Sequence, residues 1–215
     1  MTQATVNLCN EALRLLGEVS ITNLSEGTEL AETCSLLFNT AARGILASYP
    51  WRCTLTKARL TRLSERGGPD PGAPTHEWRF RHQLPADLLL LRELAASDAV
   101  AVPPMRQYEL FDGTVLSNQP DLWADYQKWI TPDLWPAHLR DAAKYALAAQ
   151  FAIPVTGSTS LAEQYRRFAY GTPGEGATGG ALGLARRIDA QQQPGQRITS
   201  FPLMEARLGG AGWRR

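Results

Sequence analysis

The chain reads as an α+β protein: an antiparallel helical bundle with an inserted small antiparallel β lobe and an extended C-terminal arm. Three observations predict that class. Apolar residues recur at three- and four-residue spacing near both ends of the 215 residues, the period of a helix with one buried face. Between those stretches the period falls to two, the mark of half-buried strands. The last residues lose periodicity and become polar and glycine-rich. The expected division is a helical bundle from residues 1–50 and 132–190, a β-rich lobe at 51–131, and an extended tail at 191–215.

Val6, Cys9, Leu13 and Leu16 make the first apolar stripe, and Gly17 stands where a left-handed helix end would want it. After a turn at 18–23, Ser25 can cap a second helix by accepting an orphan backbone N–H. Leu30, Cys34, Leu37, Ala41 and Ile45 supply that helix with its own stripe. Pro50 lacks a donor and pushes Tyr49 out of the helical region, so the helix ends there.

Beyond Pro50, Trp51, Cys53, Leu55 and Lys57 alternate with Arg52, Thr54, Thr56 and Ala58 as in a strand, which Leu60 and Leu63 continue toward Ser64. Residues 67–74 are all turn formers or ladder breakers and read as a loop. Residues 77–82 are short strand material, with Trp78 and Phe80 on one face and Arg79 and Arg81 on the other. Pro85-Ala86-Asp87 is a turn, and Leu88 to Leu91 read as a buried strand. Further strands are expected at 99–102, 108–111, 115–117 and 122–130. The pair Asp112-Gly113 signals a hairpin.

Helix returns after Pro132. Leu139, Ala142, Tyr145, Ala146, Ala149 and Phe151 form an alanine-rich helix closed by Pro154. Ser158-Thr159-Ser160 can cap another helix that turns Leu161, Tyr165 and Phe168 inward. Residues 171–183 contain six glycines and one proline. Each interior glycine costs about 1 kcal/mol of helix stability relative to alanine, so this stretch reads as a break and a flexible joint. Leu182, Leu184 and Ile188 can resume the helix until Ala190. The tail that follows is polar at Gln191-Gln192-Gln193, yet it carries Ile198, Phe201, Leu203, Met204, Leu208 and Trp213 before Arg214 and Arg215. A tail of this kind is ordinarily disordered. So many large apolar residues suggest one that becomes ordered on a partner.

Composition bounds the function. A 44% hydrophobic content is that of a folded chain, and Lys plus Arg number 22 against 21 acidic residues, a formal charge of +1. A general nucleic-acid binder is usually frankly basic. No apolar run reaches the length of a membrane span, and the polar start Met1-Thr2-Gln3 does not read as a signal peptide. Cys9, Cys34 and Cys53 are odd in number and occupy apolar positions, as buried free thiols do.

Three blocks of residues go further. The first contains Cys9-Asn10-Glu11-Ala12-Leu13, Leu16-Gly17, Leu24-Ser25-Glu26, Cys34, Arg43, Leu46, Pro50-Trp51, Lys57-Ala58 and Leu60. The second is Trp78-Arg79-Phe80 with Leu84-Pro85-Ala86-Asp87-Leu88. The third runs from Trp135-Pro136 through Ala142, Ala146, Leu147 and Ala149 to Ile153-Pro154-Val155-Thr156-Gly157-Ser158. In this order they resemble the head-to-tail adaptor proteins of short-tailed bacteriophages, the tail tubular protein A type, over most of residues 5–170. The glycine-rich stretch at 171–183 departs from that pattern, in which the last helix runs on unbroken.

The resemblance implies a structural virion protein: a twelve-fold ring of copies of itself between the portal protein and the tail nozzle protein, with tail fibres as a possible further partner. Double-stranded DNA would pass through without sequence-specific binding. The protein would reside in the virion neck and, during assembly, in the host cytoplasm. The resemblance also makes the portal the natural partner for the C-terminal arm, through Ile198, Phe201, Leu203, Met204, Leu208, Trp213, Arg214 and Arg215. Arg14, Arg43, Arg140, Lys144, Arg166 and Arg167 are then expected mainly at subunit contacts.

Catalytic constellations are sparse. His76 and His82 fall on one strand face with no cysteines at metal-ligand spacing, and His138 is remote. Glu77 and Asp87 are the candidates for a carboxylate pair. No GxSxG, phosphate-binding loop or dinucleotide fingerprint occurs. The reading is therefore no enzyme, no metal and no cofactor. The alternatives are a hydrolase acting on the cell wall during infection, and a head-tail connector of a long-tailed phage.

Overall fold

Helix α1 (Gln3–Leu15) starts at Thr2, whose hydroxyl accepts the Thr5 N–H, and ends at Gly17 with φ +85°, the expected left-handed terminus. The computed structural model describes residues 2–69, 72–74, 77–99, 102–175 and 178–192. The turn after α1 is locked by one side chain: Asn10 donates to the Ile21 carbonyl at 2.9 Å and accepts the Ile21 N–H at 2.8 Å.

Helix α2 (Glu29–Ala47) is capped by Thr28, which accepts the Ala31 N–H, and not by Ser25. The reason lies in the loop. The Glu26 carboxylate accepts the Thr22 N–H at 2.7 Å and the Thr28 hydroxyl at 2.8 Å, and Gly27 at φ +76° turns the chain. These bonds hold the loop non-helical through Gly27. The buried face is Ala31, Cys34, Phe38, Ala42, Ile45 and Leu46. It is rotated from the expected stripe so that bulky Phe38 points inward, leaving Leu30, Leu37 and Ala41 on the flank. Cys9 and Cys34 meet in this core: the hydrogen bond between them and burial push the Cys9 thiol up, and the same bond lowers Cys34.

Trp51 is fully buried and donates from Nε1 to the Ile45 carbonyl at 3.0 Å. The strand expected from Trp51 starts later, because residues Arg52–Thr54 form a single 3-10 turn. Both the N–H and the hydroxyl of Thr54 donate to the Trp51 carbonyl and hold that turn.

Among the described residues seven strands follow: β1 (Leu55–Arg59), β2 (Thr61–Glu65), β3 (Phe80–Gln83), β4 (Leu88–Ala95), β5 (Glu109–Phe111), β6 (Thr114–Ser117) and β7 (Trp123–Lys128). They form two antiparallel sheets, ordered β1-β7-β4 and β2-β3-β6-β5. Only Leu60 separates β1 from β2; it is buried, and its N–H bonds the Leu122 carbonyl at 2.7 Å where the chain changes sheets. The Asp112-Gly113 signal is met: φ is +48° and +65°, and the pair joins β5 to β6. Leu88 to Leu91 are not a buried run. β4 is an edge strand with register shifts after Leu88 and Leu91, which break the alternation and leave Leu94 as its buried residue. Ala99 lies in a bend and Val102 is irregular, so neither belongs to the expected strand; residues 100 and 101 lie outside the described ones.

Helix α3 (Ala137–Thr156) packs against α1, α2, α4 (Thr159–Tyr170) and α5 (Gly180–Gln191). Ala142, Ala143, Ala146, Ala148 and Ala152 are all buried along it, and such short side chains let four helices approach one axis. Pro154 sits inside its last turn and does not close it. The missing N–H would have bonded Gln150, and both residues are exposed, on the side of the helix that solvent reaches. Gly157 at φ +66° ends the helix. Ser158 caps α4 as expected, by accepting the Leu161 N–H. Phe168 remains half-exposed beside Tyr145 and Tyr165, with ring centroids 6.3 and 6.0 Å away.

The break before α5 is real, but its glycines serve close approach. A Cβ on Gly180, at φ +63°, would lie 2.6 Å from the Ala169 carbonyl oxygen, and one on Gly183 would lie 1.8 Å from that of Thr178. The buried face of α5 is Leu182, Gly183, Ala185 and Asp189, while Leu184 and Ile188 point outward.

The fold is α+β, with two apolar clusters among the described residues. Helical residues from both ends of the chain share one, with Trp51 and Trp135. Leu60, Leu94, Val115, Leu122, Ala124 and Tyr126 form the other.

Candidate assembly surface

Two buried polar side chains join the helical and β parts. Gln127 on β7 is 1% exposed, and its amide nitrogen donates to the carbonyls of Leu46 (3.0 Å) and Tyr49 (2.8 Å) and to the Thr54 hydroxyl (3.1 Å). It satisfies the Leu46 carbonyl, left open at the end of α2 because Pro50 has no N–H to reach it. Asp189, in the last turn of α5, accepts the Arg52 N–H with both oxygens, at 3.2 and 3.4 Å. His138 Nε2 stands 3.7 Å from the same carboxylate. Burial and the Asp189 charge together push the nearby Cys53 thiol up to about 11. Neither residue was singled out in the sequence. An acid between Ile188 and Ala190, on a helix otherwise carrying Arg186 and Arg187, was the available signal.

Large apolar side chains stand exposed on the outer surface of the helices and in the turn after α1. Leu36 is 76% exposed on α2, and Val19, Ile153, Phe168 and Leu184 are each about half exposed or more. Cations gather in two places. Arg14, Arg140 and Lys144 line a shallow groove between α1 and α3 together with Glu11. Arg166 and Arg167 line a second groove along α4, with Glu163, Tyr170 and Pro173. This groove continues onto α3 over Ala149 and Ile153. Burial pushes the Tyr170 phenol up, while the charges of Arg166 and Arg186 pull it back. Arg43 lies apart from both, stacked over Trp129 at 4.9 Å. Thus five of the six basic residues expected at subunit contacts fall into two grooves.

The remaining sequence candidates are dispersed. Ile198, Phe201, Leu203, Met204, Leu208, Trp213, Arg214 and Arg215 all lie outside the described residues, as does His76. Glu77 is exposed just before β3, in the four-stranded sheet. Asp87 leads into β4 of the other sheet, where it accepts the Tyr126 hydroxyl at 3.0 Å. His82 is fully buried, with Nε2 3.3 Å from the Pro120 carbonyl and Nδ1 unpartnered. Among the described residues, no group of three or more His, Cys, Asp or Glu could hold a metal ion, and no helix is long and apolar enough to cross a membrane.

No protein-family model matches the chain, and no curated protein matches it.

Proposed function

We propose that the protein is a structural subunit of a phage head-to-tail adaptor ring, set between portal and tail nozzle and forming part of the channel for double-stranded DNA. The observation that carries this reading is the order of the three sequence blocks along residues 5–170. Several of their residues are the ones on which the fold turns: Asn10 locks the α1–α2 turn, and Trp51 and Trp135 donate to the Ile45 and Ile130 carbonyls from buried positions. Large apolar side chains left exposed on α2, α3, α4 and α5 support a chain that packs against neighbours. A near-zero net charge suits a conduit that does not grip phosphates. In this reading the C-terminal residues from Ile198 to Arg215 dock on the portal, and the β sheets meet the nozzle or a fibre.

The test is negative-stain microscopy of the protein mixed with its portal. Rings of one size stacked coaxially on the portal are expected. Virions in which the chain is absent from the neck, or present there as a single copy, would overturn the proposal. A chain ending at Gln193 should lose portal docking while keeping its fold by circular dichroism.

A further inference from the structure

We infer that the exposed ridge of α2 in one copy seats in the α3/α4 groove of the next copy; this rests on the ring reading above and names its contact. The ridge is Glu29, Glu32 and Leu36, spaced by three and four residues and so on one helix face. All three are exposed, and Leu36, at 76%, is the most exposed of the large apolar residues described. The groove is its complement in shape and charge. Its floor is apolar, with Ala149, Ala162 and a 54% exposed Ile153, in a cleft of about 640 Å³. Arg166 lines it together with Glu163, and Arg167 lines the adjoining cleft farther along α4.

The dimensions agree. The groove follows α4 from Thr159 to Tyr170, roughly 16 Å at 1.5 Å per residue, and the ridge from Glu29 to Leu36 spans roughly 10 Å. An amphipathic helix laid in such a groove places its apolar residue on the floor and its charges on the rim. Leu36 therefore meets Ile153, and Glu29 and Glu32 meet the two arginines. The rim pair Arg167–Glu163, at 3.7 Å and largely exposed, is held too weakly to withhold its guanidinium. Ridge and groove lie on different elements, so each copy offers one to each neighbour. Such a head-to-tail contact generates a ring wherever the rotation closes.

Two measurements test this. A Leu36→Cys chain mixed with an Ile153→Cys chain and a short bismaleimide should give a cross-linked dimer that neither chain gives alone, wild type reporting any background from the native thiols. Independently, Glu32→Arg and Arg166→Glu should each weaken self-association by at least about tenfold in sedimentation velocity, and the double variant should recover most of it. Rings that form on the portal without that cross-link, and ignore both reversals, would overturn this contact and leave the ring reading standing. Absence of self-association by wild type, alone at high concentration and with portal, would overturn both. Reversals that block association singly but are not rescued together would refute the pairing of these residues.

Discussion

The carboxylate of Asp189 accepts the backbone N–H of Arg52 at 3.2 Å, across 137 positions of the chain. It ties the last turn of α5 to the point where α2 gives way to β1. A backbone hydrogen bond to a buried charged acceptor contributes about 1.5–3 kcal/mol, and its loss leaves the donor unpaired. Asp189→Ala is expected to lower the unfolding free energy by a comparable amount, read as a lower urea midpoint at unchanged slope. Arg187→Ala, exposed two residues earlier, should move stability by less than about 0.5 kcal/mol. Equal effects from the two substitutions would show that the clasp contributes nothing.

Gln127 does similar work inside β7. Replacing it with leucine removes donors to Leu46, Tyr49 and Thr54 at once; the Tyr49 carbonyl keeps the Trp51 N–H, but the Leu46 carbonyl loses its donor, and an orphaned buried acceptor costs about 1–3 kcal/mol. The expected loss is at least about 2 kcal/mol by chemical denaturation. Amide exchange should also quicken first around the end of α2, since that is the helix end the side chain closes.

The glycines separate into two kinds. Gly180→Ala forces a Cβ against the Ala169 carbonyl at a positive φ, and Gly183→Ala meets the Thr178 carbonyl. Each should destabilise by more than about 1 kcal/mol. Gly44 lies on the exposed side of α2 with nothing within 4 Å of a Cβ. Gly44→Ala should stabilise by about 0.5–1 kcal/mol through helix propensity. Thermal melts of the three variants decide the matter, and a stabilising Gly180→Ala would refute the close-packed corner.

Burial holds the His82 imidazole below its ordinary 6.5, and the charge of Arg62 adds to the effect. The unfolded chain thus takes up a proton at higher pH than the folded one. This stabilisation is complete above pH 6.5 and is lost as the pH falls toward the folded value, by no more than about 1.4 kcal/mol per pH unit. Unfolding free energy measured from pH 7.5 to 5 should fall in wild type and flatten in His82→Gln. Asp121, whose carboxyl is held low first by its hydrogen bond to Arg59, loses its contribution only at more acid pH.

Signals confined to a few adjacent residues were legible in the chain. Gly17, Asp112-Gly113 and Ser158 act where they were read, because a positive φ or a cap is settled by neighbours within four positions. Errors arose where two local solutions competed. Ser25 and Thr28 can both cap a helix, and the Glu26 carboxylate decides by bonding the loop. Leu88 to Leu91 look like a core strand, but bulges on an edge strand divide them between faces. Glycine-rich composition suggests freedom, whereas Gly180 is required by contact with the end of α4 at Ala169 and Gly183 by contact with Thr178 just before α5.

The order of helix, strand and helix followed from periodicity alone, because hydrophobic spacing reports which face of a local element must leave water. What waited for the folded chain was every relationship across it: the burial of Asp189 against Arg52, the division of the strands into two sheets at Leu60, and the placing of Arg166 and Ile153 along one groove. Those depend on how elements pack, and a residue's spacing carries no record of which distant surface will face it.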